Sequence, residues 1–215
     1  MHTDNNSQTA KARVTDDYIL LAADPRRVTD EELESMLASL PEWRRQQAMR
    51  YKFREGRLEC ALAYCLLRDL LRAHHPEVLL ADGHIPAFLC NEHGKPSLPG
   101  GFPHFSLTHC KTCVAAAVSD RPIGVDAERV RRRVTPQLIR YTMNEAEQQL
   151  IAGSTAPDVT FTSLWTRKEA LVKCFGTGLA GGIPALLTEE LPHHPDLRAE
   201  TFPHPAEDYV LSVVY

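Results

Sequence analysis

The chain has 215 residues, enough for one large domain or for two small ones that share a core. Hydrophobic residues make up 43% of it, close to ordinary globular usage, which excludes disordered and fibrous classes. The net charge of −4 argues against a general nucleic-acid-binding protein, and no apolar run approaches the roughly 18 residues that a membrane-spanning helix needs.

The N-terminal segment MHTDNNSQTAKAR is polar and lacks the apolar stretch of a secretory signal. We therefore expect a flexible leader over residues 1–14 and a cytoplasmic location.

Six cysteines lie in apolar segments, as reduced buried cysteines do in cytoplasmic chains. Cys110 and Cys113 form a Cys-x-x-Cys, but no second pair supports a zinc site and their segment resembles a strand. A buried structural pair is favoured over a redox or metal site.

The first half of the chain predicts a short strand followed by helices. Residues 17–22 form an apolar run typical of a strand, and a capping box opens a helix over residues 29–40. A second helix is predicted over residues 41–74, with a bend or interruption at Gly56. A further strand is expected over residues 84–90.

The segment of residues 42–72 carries eight basic residues against four acidic ones. It is either a solvated helix face or a landing site for phosphates or an acidic protein.

The second half has a different texture, in which short apolar runs are separated by Gly and Pro. The predicted elements are strands over residues 105–108, 112–118, 123–128 and 209–215, one or two helices over 135–151, and a helix over 161–175. Helices and strands mix without a regular βαβ rhythm, which predicts the α+β class. The internal boundary is expected in the loop near Gly100 and Gly101.

Asp126 and Glu128 are the first candidate functional residues. Side chains alternate along a strand, so both carboxylates project from the same face. Carboxylate oxygens held this close suit Mg²⁺, which commonly takes one or two carboxylates and fills its remaining positions with water and phosphate. Taken alone, however, the pair favours a solvated strand end over a metal site.

The predicted helix over residues 161–175 supplies the second group. Trp165, Glu169 and Lys173 recur at intervals of four and share one side of the helix, with Lys168 beside them. A Glu–Lys pair at this spacing is usually a surface ion pair of small worth. The large Trp165 on the same side favours a helix that lines a cleft.

The third group lies in two short motifs. Lys95 stands in the stiff loop Gly-Lys-Pro and could contact a phosphate or stack beside a base, while Thr108 and His109 end a strand and could donate to phosphate oxygens. A histidine at a strand end is by itself more often structural.

Together, in this order and at these spacings, the motifs resemble the 4′-phosphopantetheinyl transferases of the larger, surfactin-synthetase-activating class. The matching segments are GKPSL (94–98), FSLTHC (105–110), IGVDAE (123–128) and LWTRKEALVKCFGTGL (164–179). The resemblance implies a pseudo-dimer of two similar α/β halves, over residues 15–102 and 103–215, with the active site in the cleft between them.

The resemblance also implies the roles of individual residues. Asp126, Glu128 and Glu169 match the Mg²⁺ ligands, and Asp126, Glu169 and Lys173 are the expected catalytic residues. Glu169 could take the proton of the acceptor serine, and Lys173 could neutralise or protonate the departing phosphate. The expected contacts with coenzyme A are Arg44 at the 3′-phosphate, Lys95 and Pro96 beside the adenine, Thr108 and His109 at the phosphates, and Lys168 and Lys173.

The implied activity is transfer of the 4′-phosphopantetheine arm of coenzyme A to a serine of an apo acyl- or peptidyl-carrier protein, as in a holo-acyl-carrier-protein synthase. The reaction would depend on Mg²⁺ and release 3′,5′-ADP, and it would serve fatty-acid, polyketide or nonribosomal-peptide synthesis. Carrier proteins are acidic around the modified serine, which would explain the exposed arginines. A monomer without nucleic-acid or membrane partners is expected.

Two departures from the commoner family pattern are Cys110, a weaker donor than the usual serine, and Gln47, where a second basic phosphate contact is expected. Two other classes of function remain open: a non-catalytic carrier- or nucleotide-binding module, and a metal-dependent phosphohydrolase that needs no acceptor protein.

Overall fold

The computed structural model describes residues 10–130, 133–178 and 182–215. Its strands are β1 (Ala10–Val14), β2 (Ile19–Ala23), β3 (Leu89–Cys90), β4 (Pro96–Ser97), β5 (His104–Cys110), β6 (Cys113–Ser119), β7 (Gly124–Arg129), β8 (Ala199–His204) and β9 (Tyr209–Val214). Its α-helices are α1 (Asp30–Ala38), α2 (Glu42–Met49), α3 (Arg54–His74), α4 (Pro136–Thr142), α5 (Glu145–Ala152) and α6 (Pro157–Phe175). The mixture of helix and sheet predicted from the sequence is confirmed.

The strands form two main antiparallel sheets and a short ribbon. One sheet has the order β1-β2-β6-β5, the second has the order β7-β9-β8, and β3 pairs with β4. The strands β5 and β6 follow the boundary predicted at residue 102, yet β6 pairs directly with β2. The chain on both sides of that boundary therefore contributes to one sheet.

Alternating side chains of β6 make this strand the centre of the molecule. Val114, Ala116 and Val118 face the buried side of α3, whereas Ala115 and Ala117 face Val125 and Leu211 of the second sheet. Because most of these side chains are small, both layers approach β6 closely. The resulting layers are α1–α3, the four-stranded sheet, the three-stranded sheet and α6.

Three sequence predictions need correction. Residues 10–14 of the expected leader form the edge strand β1, which pairs with β2. Because β1 exposes Lys11 and Arg13, its sequence has no apolar run that would indicate a strand. Residues 1–9 lie outside the described residues. The helix predicted over 41–74 is interrupted at residues 50–53, and Gly56 lies inside α3. In residues 84–90 only β3 is a strand, because the N–H of buried Ile85 donates to the Tyr64 hydroxyl at 3.0 Å instead of to a ladder.

The other long elements lie close to their predicted positions. The strands over 105–108, 112–118, 123–128 and 209–215 correspond to β5, β6, β7 and β9, and two helices, α4 and α5, occupy residues 135–151. Within the described ranges, no helix has the length and apolarity needed to cross a bilayer.

Gly124 allows α6 to lie against the backbone of β7. A Cβ atom at this position would stand 1.9 Å from the carbonyl oxygen of Ala170 and 2.4 Å from the amide nitrogen of Cys174. These are backbone atoms in the middle of a helix, so they cannot swing aside as a side chain can. The close approach brings the side chain of Lys173 to Val125 and Asp126, near the start of β7.

We predict that Gly124→Ala lowers the free energy of unfolding by about 3 kcal/mol, at the upper end of the cost of overpacking, because α6 must move away from β7. Urea unfolding measures the change. Gly153→Ala is the matched control, since its Cβ would lie 3.4 Å from the Gln149 carbonyl oxygen, and a change within about 1 kcal/mol is expected there. Equal stability of the two variants would contradict the packing described for Gly124.

Candidate active site between β5, β7 and α6

The edges of the two main sheets are joined by side-chain hydroxyls. The N–H of Val125 donates to Ser106 Oγ at 3.0 Å, and the N–H of Ala127 donates to Thr108 Oγ1 at 3.0 Å. These amides lie on the edge of β7 that has no neighbouring strand in its own sheet. The hydroxyls of β5 thus take the place of a strand ladder, and they fix β7 beside β5.

Asp126 lies at this joint with its carboxylate buried. Thr108 Oγ1 donates to Asp126 Oδ1 at 3.2 Å, and the ammonium of Lys173 on α6 donates to the same oxygen at 2.7 Å. Lys173 Nζ also donates to the Val125 carbonyl oxygen at 3.2 Å. The second oxygen, Asp126 Oδ2, is buried and has no hydrogen-bond partner among the residues that the structure describes. A buried carboxylate oxygen without a partner is costly, so this atom is a position for a further donor or cation.

Glu128 and Glu169, the other predicted metal ligands, are half-buried. Glu128 follows Asp126 by two residues on β7, and Glu169 precedes Lys173 by one turn of α6. Within the described ranges, no three His, Cys, Asp or Glu side chains form a group that could hold a metal ion. The charged partner that the structure gives Asp126 is Lys173, and the three-carboxylate metal site remains a prediction.

A cavity of about 360 Å³ opens beside this pair. Lys95 and Pro96 line one side of it, residues 105–107 of β5 contribute to its wall, and Glu169 and Lys173 line the α6 side. The predicted cleft-facing residue Trp165 is not part of this lining; it packs against the apolar cluster around Met143 and Phe161. The indole of Trp165 therefore packs against residues of α4 and α5 and does not line the cavity.

Lys95 caps the end of α6. Its ammonium donates to the Cys174 carbonyl oxygen at 2.8 Å, and Asn91 reaches the Gly176 carbonyl oxygen at 2.8 Å, so the β3–β4 ribbon is docked on the helix C-terminus. Burial lowers the pKa of Lys95. The ammonium contacts backbone carbonyls, while Lys95 and Pro96 together still line the cavity where the sequence predicts an adenine.

Of the two predicted phosphate contacts, Thr108 is buried and His109 is exposed. Thr108 is buried and its hydroxyl is engaged by the backbone of β7 and by Asp126, so it positions the carboxylate. The side chain of His109 is 52% exposed, and its Nδ1 lies 3.2 Å from Oε2 of Glu59 on α3. Glu59 is not among the residues predicted from the sequence. The signal that could have found it is a single charged residue in the otherwise apolar run of residues 58–67.

Arg44, predicted to contact the 3′-phosphate, is enclosed between α2 and α3. It is only 7% exposed, and its guanidinium donates to Gln47 Oε1 at 2.7 Å and to the Cys60 carbonyl oxygen at 2.9 Å. The rings of Trp43 and Phe88 flank it at 6.0 and 5.8 Å. Because this side of α2 packs on α3, the arginine at position 44 is enclosed in the contact and its neighbour Arg45 is exposed.

Other cations line a second cavity of about 440 Å³. They are Arg26, Arg54, Lys111 and Arg129, accompanied by Glu55 and Glu59. Arg129 directly follows Glu128, and Lys111 follows the His109–Cys110 pair. This cavity therefore adjoins the candidate site, on the side of α3.

Cys110 and Cys113 face each other across the β5–β6 turn, and both are free thiols. Burial raises the pKa of both thiols, and Cys113 is almost fully enclosed. Since thiolates are the reactive form, this environment agrees with the structural interpretation of the pair.

Lys168, predicted to contact coenzyme A, is fully buried and points away from the cavity. Its ammonium pairs with Glu147 Oε2 at 2.7 Å and donates to the carbonyl oxygens of Thr142, Ile183 and Pro184 at 3.0, 2.9 and 3.1 Å. Burial lowers the pKa of Lys168, while Glu147 opposes that shift. Lys168 thus ties α6 to α5 and to the segment after residue 182, a structural role.

We predict that Lys168→Met lowers the free energy of unfolding by about 3–5 kcal/mol, because the Glu147 carboxylate is left buried without its counter-charge. Adding Glu147→Gln should recover part of this loss by removing the unpaired charge. Urea unfolding of both variants, with coenzyme A affinity measured on the folded protein, tests the assignment. Unchanged stability together with lost coenzyme A binding would instead support the role predicted from the sequence.

Comparison with known proteins agrees with the motifs. Residues 122–214, which include β7, α6 and β9, match the family model described as the 4′-phosphopantetheinyl transferase superfamily. The chain is 24% identical over 159 residues to 4′-phosphopantetheinyl transferase Sfp of Bacillus subtilis (strain 168), an alignment that covers 72% of this chain and 68% of that protein. It is 27% identical over 158 residues, with the same coverage, to 4′-phosphopantetheinyl transferase ffp of Bacillus subtilis.

A shorter match, 30% identical over 94 residues, covers 41% of this chain and 49% of 4′-phosphopantetheinyl transferase AcpT of Salmonella typhi. The family match over residues 122–214 and these relatives support the resemblance to the 4′-phosphopantetheinyl transferase superfamily that the motifs indicated. Within it, the chain resembles the surfactin-synthetase-activating class that the sequence motifs indicated.

Proposed function

We propose that the protein transfers the 4′-phosphopantetheine group of coenzyme A to a serine of an apo acyl- or peptidyl-carrier protein, in a Mg²⁺-dependent reaction that releases 3′,5′-ADP. The observation that carries the proposal is the buried Asp126 carboxylate, paired with Lys173 at 2.7 Å beside a cavity of about 360 Å³. The names of the relatives support the same activity.

The cavity is the proposed site for coenzyme A. Its lining draws on both parts of the chain, with Lys95 and Pro96 from the part before residue 102 and Glu169 and Lys173 from the part after it. This arrangement supports the pseudo-dimeric architecture, in which the coenzyme lies between two halves. The adenine would occupy the side of Lys95 and Pro96, and the phosphates the side of Lys173.

The chemistry of three carboxylates, and not their present arrangement, supports a magnesium ion at this site. Asp126, Glu128 and Glu169 offer the oxygen ligands that Mg²⁺ prefers, and Asp126 Oδ2 is a buried ligand atom without a donor in the part of the chain that the structure describes. When bound, Mg²⁺ would neutralise phosphate charge and polarise the phosphorus.

The side chains of the protein supply positioning and charge. The serine oxygen of the carrier attacks the phosphorus bonded to pantetheine, and the bond to the oxygen of 3′,5′-ADP breaks. Glu169 lines the cavity and accepts the serine proton, while Lys173, whose side chain is 33% exposed, compensates the charge on the departing phosphate. His109, half-exposed at the end of β5, contacts a phosphate oxygen. Catalysis of this type depends mainly on positioning and charge compensation.

The direct test is to incubate the protein with coenzyme A, Mg²⁺ and an apo carrier protein and to measure the mass of the carrier. We expect a gain of one phosphopantetheine group, lost in Asp126→Asn and in Glu169→Gln and retained in the control Glu145→Gln on the exposed face of α5. Full activity of either active-site variant would contradict the roles assigned to these carboxylates.

Two other outcomes would favour the alternative functions. Coenzyme A that binds without modifying any of several carriers would indicate a binding module. Release of phosphate or nucleotide without an acceptor would indicate a phosphohydrolase.

Glu59 is predicted to position His109 for its phosphate contact. The pair is 3.2 Å apart, so Glu59→Ala should raise the KM for coenzyme A by roughly 3- to 10-fold, the effect of losing one charge-assisted contact, while kcat changes less. Glu59→Asp should restore part of the affinity. An unchanged KM in Glu59→Ala, with a raised KM in His109→Ala, would show that His109 acts without this partner.

A further inference from the structure

The turn between β3 and β4 is closed by one asparagine, and we refer to residues 91–95 as the Asn91–Lys95 loop. The Oδ1 atom of Asn91 accepts hydrogen bonds from the N–H groups of His93 at 3.0 Å and of Lys95 at 2.8 Å. The N–H of Asn91 donates to the Lys95 carbonyl oxygen at 3.1 Å, and its carbonyl oxygen accepts from the N–H of Gly94 at 3.0 Å. Gly94 has a φ of +83°, which glycine adopts without strain. Asn91 therefore fixes the conformation of the Gly-Lys-Pro motif.

The same side chain attaches the loop to the end of α6. Its Nδ2 donates to the carbonyl oxygen of Gly176, the left-handed residue that ends this helix, at 2.8 Å. A Cβ atom on Gly176 would stand 2.8 Å from Cδ of Lys95 and 3.1 Å from Nδ2 of Asn91, so the loop lies directly against the helix end. The side-chain amide of Asn91 thus has two separate contacts: its oxygen shapes the loop, and its nitrogen docks the loop on α6.

The loop and the helix end are opposite walls of the cavity of about 360 Å³. Lys95 and Pro96 line it on the side of the loop, while Lys173 and Gly176 line it on the side of α6. Asn91 does not belong to the lining. Because its Nδ2 joins the two walls at their base, the separation of the walls depends on this contact.

We propose that Asn91 is a positioning residue for coenzyme A, because its side chain sets the separation of the Gly-Lys-Pro wall from the α6 wall. The inference rests on the proposed function, which assigns coenzyme A to this cavity. Asn91 acts through Lys95 and Pro96 and does not touch the reacting atoms. A wall that is already in place before binding spares the ligand the entropy cost of ordering a loop.

This role can be separated from folding. Asn91 lies at the surface, so its replacement leaves the buried apolar core unchanged. The loop also keeps a second contact with α6, since the Lys95 ammonium donates to the Cys174 carbonyl oxygen at 2.8 Å. We therefore expect variants of Asn91 to fold and to differ from the wild type in the cavity alone.

The test measures coenzyme A binding by calorimetric titration and transfer by steady-state kinetics. Asn91→Ala removes both contacts of the amide and should weaken coenzyme A binding by about tenfold. The KM for coenzyme A should rise in parallel, while kcat and the KM for the carrier change by less than about twofold. Asn91→Ser keeps a short acceptor for the loop but does not reach Gly176, so it should recover only part of the affinity.

The matched control is Asn144→Ala on the N-cap of α5. Asn144 makes the same two kinds of contact, since its Oδ1 accepts from the Glu147 N–H at 2.9 Å and its Nδ2 donates to the Pro184 carbonyl oxygen at 3.2 Å. It does not line the cavity. Asn144→Ala should lower the urea midpoint of unfolding, because a helix cap is lost, and leave coenzyme A affinity unchanged.

The outcomes distinguish the inference from the proposed function. Normal transfer together with unchanged coenzyme A affinity in Asn91→Ala would overturn the inference and leave the proposed function intact. Affinity that depends on Asn91, in a protein that modifies no carrier, would support the inference and contradict the proposed function. Equal loss of affinity in Asn91→Ala and Asn144→Ala, or full recovery by Asn91→Ser, would overturn the positioning role. A wild-type protein that does not bind coenzyme A would contradict both.

Discussion

Two hydroxyl groups of β5 organise this molecule by accepting hydrogen bonds from the backbone of β7. Without Ser106 and Thr108, the edge amides of Val125 and Ala127 would have no partner at a buried junction between two sheets. The same Thr108 hydroxyl turns toward Asp126 and orients its carboxylate. The missing side chain of Gly124 then allows α6 to approach, and Lys173 reaches the oxygen that Thr108 has oriented. Packing and candidate chemistry therefore depend on the same joint.

The two cavities lie on either side of this joint and suit the two substrates of the proposed reaction. The cavity of about 360 Å³ combines Lys95 and Pro96 with the α6 residues and suits a coenzyme. The cavity of about 440 Å³ runs along the first turns of α3 and is open to the approach of an acceptor protein. A transfer between coenzyme and protein needs such separate approaches, because the acceptor serine and the leaving nucleotide must lie on opposite sides of the phosphorus.

The sequence predicted the parts of the site that follow from regular periodicity. Strand alternation put Asp126 and Glu128 on one face of β7, and helical spacing put Glu169 and Lys173 on one side of α6. The burial of Lys168 and Arg44 was not foreseen, because charge suggests exposure and only tertiary packing reveals that each is enclosed by carbonyl or ring partners. The hydroxyl joint was also missed, since polar residues at alternate positions of β5 equally describe a strand with one wet face. The edge strand β1 carried no apolar run and so looked like a leader.

Amide hydrogen exchange at Val125 and Ala127, followed by NMR in the wild type and in Thr108→Val, tests the joint most directly. Both amides should be protected in the wild type although β7 is the edge of its sheet, and Thr108→Val should accelerate exchange at Ala127 selectively while Val125 stays protected by Ser106. Rapid exchange of both amides in the wild type, or an Ala127 amide indifferent to the loss of the Thr108 hydroxyl, would contradict the account.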